Sequence, residues 1–95
     1  MVNLSSKATE DIESIVEYTI KGFGYDAMLD YHSSLDECLN MLSNNPDIGL
    51  NYDHVGSGYL CFYHRSHMIF YKQKGDDIFI IRILHKSMDV PQHFD

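Results

Sequence analysis

Apolar residues recur every third or fourth position through the first half of the chain and crowd into short runs through the second. Ala8, Ile12, Ile15, Val16, Thr19, Ile20 and Phe23 follow the i, i+3, i+4 rule and predict an amphipathic helix. Its outer face carries Glu10, Glu13, Glu17 and Lys21. Ser5 or Ser6 is the expected N-cap, with Glu10 and Asp11 near the positive end of the helix dipole. Gly22 and Gly24 bracket its end. A second stripe, Met28, Tyr31, Leu35, Cys38, Leu39 and Leu42, predicts a helix from about Asp26 to Ser43. Asn44-Asn45-Pro46 stops it, because proline disfavours helical geometry in the residue before it. The short glycine-containing link makes the two helices an antiparallel hairpin.

The second half reads differently. Asp47 to Ser57 is polar and glycine-bearing, a loop crossing from helices to sheet. Tyr59 to Tyr63, His67 to Gln73 and Asp77 to His85 are strand candidates. They are joined by turns at His64-Arg65-Ser66 and Lys74-Gly75-Asp76, the second a strong hairpin signal. Val2-Asn3-Leu4-Ser5 forms a short strand ahead of the helices. The expected fold is α+β, a two-layer β-α-α-β-β-β arrangement with the helical hairpin packed on a mainly antiparallel sheet. Residues 1–95 read as one domain, and the aperiodic stretch 86–95 as a contact tail.

The last strand breaks its own rule. From Ile78 to Leu84 every residue is apolar except Arg82, and a guanidinium among apolar neighbours needs a partner. Strict alternation puts Arg82 on one face with Ile78, Ile80 and Leu84, and Phe79, Ile81 and Ile83 on the other. With helices over the Phe79 side, Arg82 points to the open face. One reading groups it with Tyr71, His67 and His85 in a groove for phosphate or proton transfer. The other makes it a structural arginine that holds the tail by its backbone. A lone arginine without further cations favours the second.

Charge narrows the function. Fourteen acidic residues against seven basic ones give a net charge of −7. Nucleic-acid affinity comes largely from phosphate neutralisation, so stable unaided binding to DNA or RNA is not expected. No apolar run reaches the length of a membrane span and the N-terminus has no signal pattern, so a cytoplasmic location is expected. Cys38 and Cys61 lie in apolar stretches and read as buried free thiols. His64 and His67 lie three apart across a turn, and no third ligand stands at a zinc-site spacing, so no metal is expected. No nucleophile, phosphate-loop or dinucleotide motif appears, so neither a cofactor nor a catalytic residue is assigned.

Several short strings carry a family resemblance. They are Gly58-Tyr59-Leu60, His67-Met68-Ile69-Phe70-Tyr71, and Ile81-Arg82-Ile83-Leu84-His85 with Met88-Asp89. In the first half they are Asp11-Ile12, Tyr18-Thr19, Phe23-Gly24 and Pro46-Asp47-Ile48-Gly49. Together they resemble the ParE toxins of the ParE/RelE superfamily, with one departure: many ParE sequences carry Arg where Leu60 stands. The resemblance implies a toxin of a type II toxin–antitoxin module. Such a toxin poisons DNA gyrase by stabilising the cleaved gyrase–DNA complex and is neutralised by a ParD-like antitoxin. On that reading the protein is a binder and not an enzyme. Arg82, His85, Met88, Asp89, His93 and Phe94 are the expected target contacts, and His67 and Tyr71 the expected groove residues. The alternative within the superfamily, a RelE-like ribosome-dependent mRNA endonuclease, resembles more basic proteins and fits this acidic chain poorly. A toxin-like fold kept as an inactive partner-binding module is the third reading.

Overall fold

The computed structural model describes residues 1–94. Along the chain lie β1 (Val2–Leu4), α1 (Ser6–Phe23), α2 (Tyr25–Asn44), β2 (Leu50–Asn51), β3 (Leu60–His64), β4 (His67–Lys74) and β5 (Asp77–His85). A 3-10 turn, Val90–His93, closes the tail. Two helices pack on a mixed five-stranded sheet of order β1-β5-β4-β3-β2, the α+β layering that the sequence pattern predicts. β1 runs parallel to β5, and the other pairings are antiparallel. β2 corrects the reading of residues 47–57 as loop throughout. Only Leu50 and Asn51 pair with β3, a span too short for alternation to register.

Local chemistry sets the helix ends. Ser5 caps α1, its Oγ accepting the Ala8 N–H at 2.9 Å. The same hydroxyl donates to the Ile81 carbonyl at 2.6 Å, so the cap also ties α1 to β5. Gly24, at φ 93°, is the whole link between the helices. Its N–H donates to Ile20 O and its carbonyl accepts from Met28 N–H. A side-chain-bearing residue adopts that conformation only with strain.

The sheet has a core on each face. Under the helices, Ala8, Leu35, Leu39 and Leu42 pack with Ile69, Tyr71, Ile78, Ile80 and Ile83. On the far face, Cys61, Met68, Phe70 and Leu84 are covered by Tyr52, Val90 and Phe94. Cys38 belongs to the first core and Cys61 to the second, and both thiols are free.

A bulge decides which residues reach which core. Phe70 pairs with Arg82 but Tyr71 pairs with Ile80, leaving Ile81 unmatched. The extra residue reverses the alternation along β5. Ile78 and Ile80 therefore face the helices together with Ile83, while Leu84 faces away. This overturns the expectation that the helices cover the Phe79 side. Arg82 still shares the face of its partner Phe70, away from the helices, but only because the bulge intervenes.

The helical stripes also outrun the core. The α1 residues packed on it end at Ile15, and Ile20 and Phe23, expected inside, are 40% and 71% exposed.

Replacing Ser5 by Ala removes both of its side-chain bonds and is expected to destabilise the fold by about 1–2 kcal/mol, with Thr recovering most of the loss. Urea unfolding of the two variants against the parent measures it.

Candidate functional site

β1 pairs with β5 only as far as Ile80, so the last five residues of β5 have no strand on that side. α1 leans over this free edge. Between them lies a groove of about 480 Å³, lined by Asp11, Ser14, Ile15 and Tyr18 of α1, His67 of β4, and Ile83, His85, Ser87 and Met88. Asp11 occupies the edge itself: its Oδ2 accepts the Ile83 N–H at 2.9 Å, where a neighbouring strand's carbonyl would otherwise sit.

Arg82 completes that arrangement. Its Nε and Nη2 donate to the two oxygens of Asp11, each at 2.8 Å, and its Nη1 donates to the His93 carbonyl at 3.0 Å. Both side chains of the pair are mostly covered, 13% and 14% exposed. Hydrogen bonding to Asp11 pushes the arginine's pKa up, so the charge is permanent. The guanidinium is thus engaged on all sides by helix α1 and the tail, which is the structural reading of Arg82.

An aromatic and imidazole cluster forms one end of the groove. The Tyr31 hydroxyl shares a 2.6 Å hydrogen bond with His67 Nδ1, and Ser34 Oγ meets His64 Nε2 at 3.1 Å. These contacts join α2 to β3 and β4. The His67 ring lies edge-on to His85, centroids 5.4 Å apart, and His85 Nδ1 is held by Ser87. Burial, with His85 and His64 nearby, pushes the His67 pKa down to about 4. Burial likewise pushes the Tyr31 hydroxyl up to about 12, against the Arg65 charge. At neutral pH Tyr31 and His67 are therefore both neutral hydrogen-bonding groups. Arg65, at φ 52° in the turn, stacks over Tyr31 and pairs with Asp30 at 3.1 Å.

Among the residues expected from sequence, His67, His85 and Met88 come together at this groove, with Met88 45% exposed and Asp89 exposed beside it. Tyr71 does not. It is fully buried under the helices, where its hydroxyl donates to Pro46 O and accepts the Gly49 N–H. Gly49 must stay glycine there, because a Cβ would come within 2.5 Å of that hydroxyl. His93 sits over Arg82, and Phe94 packs on Phe70 and Tyr59, centroids 5.0 and 5.6 Å away. Those two tail residues are part of the fold's second core and its clamp. Asp11, Ser14 and Tyr18 were absent from the expected set. Tyr18 carried the one visible signal, an aromatic residue standing outside the apolar stripe. No group of three or more His, Cys, Asp or Glu among the described residues is arranged to hold a metal ion.

The model of the family described as "ParE toxin of type II toxin-antitoxin system, parDE" matches residues 2–90. The chain belongs to the ParE toxin family. Toxin ParE1 of Caulobacter vibrioides is 31% identical over 90 residues, covering 95% of this chain and 93% of the relative. Toxin ParE1 of Mycobacterium tuberculosis is 32% identical over 91 residues, with the same coverage of 95% and 93%. A solved structure titled "Chromosomal ParDE TA system from P. aeruginosa" superposes with a TM-score of 0.75 at 20% identity. That match covers 88% of this chain and 92% of that one. The chain is accordingly a ParE toxin of a type II toxin–antitoxin system, on the helical-hairpin-and-sheet fold described above.

Two consequences are measurable in this ParE-family chain. Replacing Arg82 by Ala strands the Asp11 carboxylate and frees the tail, so the midpoint of thermal unfolding is expected to drop by about 10 °C or more. Differential scanning calorimetry reads this directly. His67 has a folded pKa near 4 against an ordinary value of 6.5. The unfolded chain therefore binds more protons between those values, and stability falls as pH drops through that window. Urea midpoints measured at several pH values should show this fall, shallower when His67 is replaced by Gln.

Proposed function

We propose that this toxin acts by binding DNA gyrase and holding the gyrase–DNA complex in its cleaved state, and that a ParD-like antitoxin neutralises it. The observation that carries this reading is the family match over nearly the whole chain, residues 2–90. The antitoxin partner draws support from the superposed structure, whose title names a ParDE toxin–antitoxin system. Its site of action is then the cytoplasm, where gyrase works.

The geometry favours a binder over a nuclease. Cleaving RNA calls for cationic groups free to meet phosphate and for proton donors at working pH. Here both arginines are paired with aspartates, Arg82 with Asp11 and Arg65 with Asp30. The groove imidazole His67 is held neutral by burial. What the groove offers instead is an apolar floor of Ile15, Ile83 and Met88 with hydrogen-bonding groups around it. Such a surface alters its target through differential affinity: it shifts gyrase toward the cleaved state only as far as it binds that state more tightly. His67, His85, Met88 and Asp89 are the proposed contacts, with Arg82, His93 and Phe94 positioning them from beneath.

In a reaction containing gyrase, ATP and relaxed plasmid, the purified protein is expected to block supercoiling and accumulate cleaved DNA. In vitro translation should proceed unimpaired. Inhibited translation with normal supercoiling would sink the gyrase reading in favour of the endonuclease.

A further inference from the structure

The charge of this chain is unevenly shared between its layers. Of a net −7, the segments of α1 and α2 hold −6, and α2 has neither Lys nor Arg. Among the described residues four lysines, Lys7, Lys72, Lys74 and Lys86, take part in no ion pair. Lys72 and Lys74 alternate with Phe70 along β4 and share its face, away from the helices. Lys72 lies over the Tyr59 ring, its Nζ 5.6 Å from the centroid. Tyr59 is also a wall of a second cavity, about 280 Å³, which Ser6, Lys7, Arg82, His93 and Phe94 help to line. The side chains of Ser6, Lys7 and Lys72 stand exposed around it. Two carboxylates of the sheet half are already occupied: Asp53 accepts from Asn51 and the Gly58 N–H, and Asp77 pairs with the N-terminal amine.

A cavity with unpaired cations at its rim, in an otherwise acidic protein, selects an anion. The kind of cation says which anion. Carboxylates are read best by a free guanidinium fork, and the fork of Arg82 is already filled by Asp11. Lysines act as point charges on phosphate, and the Ser6 hydroxyl adds a donor beside them. The Tyr59 and Phe94 rings, 5.6 Å apart, give the cavity an aromatic wall against which a sugar or base can rest. The geometry points to this far-side cavity as a contact for the phosphodiester backbone of the DNA held by gyrase, with Lys7 and Lys72 neutralising the phosphates. The inference rests on the gyrase reading of the preceding section. Two lysines on a chain of net charge −7 do not hold free DNA, but they add affinity once gyrase presents the strand at high local concentration. Binding is all that is asked of them; breakage of the DNA is gyrase's own chemistry. Preference for gyrase that carries DNA follows from such a contact, because DNA-free gyrase offers it nothing.

The test compares the full chain with its double variant Lys7→Gln, Lys72→Gln, whose circular dichroism should be unchanged because both side chains are exposed. Affinity for the gyrase holoenzyme is measured with and without bound DNA over a range of salt concentrations. On DNA-bound gyrase at low salt the double variant is expected to bind roughly tenfold more weakly, and its plot of log affinity against log salt to be shallower by about two. On DNA-free gyrase the two proteins should bind alike. Equal weakening on both forms of gyrase would assign the lysines to an acidic segment of the enzyme and overturn the DNA contact. Unchanged binding to both forms would overturn it too, and would leave the gyrase reading intact. An unaltered chain that binds neither form would remove both. A second measurement locates the contact without gyrase: a short DNA duplex added to the free chain at low salt should shift the amide resonances of Ser6, Lys7, Tyr59 and Phe94. Shifts confined to other parts of the chain would overturn the cavity as the phosphate site.

Discussion

One carboxylate holds three parts of this protein in place. Asp11 accepts the Ile83 N–H at the free edge of β5 and both near nitrogens of Arg82, while Arg82 grips the His93 carbonyl. An exposed strand edge invites pairing with another chain. Asp11 fills that edge with a side chain and places a helix beside it. The groove exists because α1 is fastened at this point, and the tail lies against the sheet for the same reason. A charge pair of this kind is stabilising mainly because breaking it leaves an uncompensated, covered charge. Its contribution is one of geometry: it sets where helix, strand and tail meet.

The two cores around the sheet depend on a second constraint, the unmatched Ile81. Without that bulge, β5 would continue its alternation and send Ile83 to the far face and Arg82 under the helices, away from the tail. With it, Ile78, Ile80 and Ile83 all feed the helical core, and Leu84 feeds the core beneath Phe94 and Val90. The helices, in turn, are longer than the surface they cover. That surplus leaves Phe23 and Tyr25 in water at the hairpin tip, beside the acids that make up most of the protein's charge.

The result is a small surface with apolar anchors, a neutral imidazole at His67 and an excess of carboxylates. Three of its seven cations are spent on internal contacts: both arginines serve aspartates, and Lys21 pairs with Glu17 along α1. Such a surface suits recognition, in line with the proposed function. The same economy separates the groove from the acidic hairpin, with Tyr18 as the residue common to both.

The sequence by itself determined the helices, the main strands, the α+β layering and the ParE resemblance, because each rests on short-range periodicity or on contiguous strings. The cap at Ser5 or Ser6 and the glycine-bearing link were equally local signals, and the structure settles them on Ser5 and Gly24. What only the tertiary structure decided involves partners far apart in the chain. Arg82 finds Asp11 across 71 positions. Tyr71, expected in the groove, is buried against the loop at Pro46 and Gly49 because the far-strand register turns it under the helices. Nothing in the stripe Ile12 to Phe23 tells where the sheet beneath it ends, so Phe23 read as core and stands exposed. Periodicity reports which face of an element is apolar; which residues that face meets is settled by register, bulges and relative lengths, and those are properties of the folded whole.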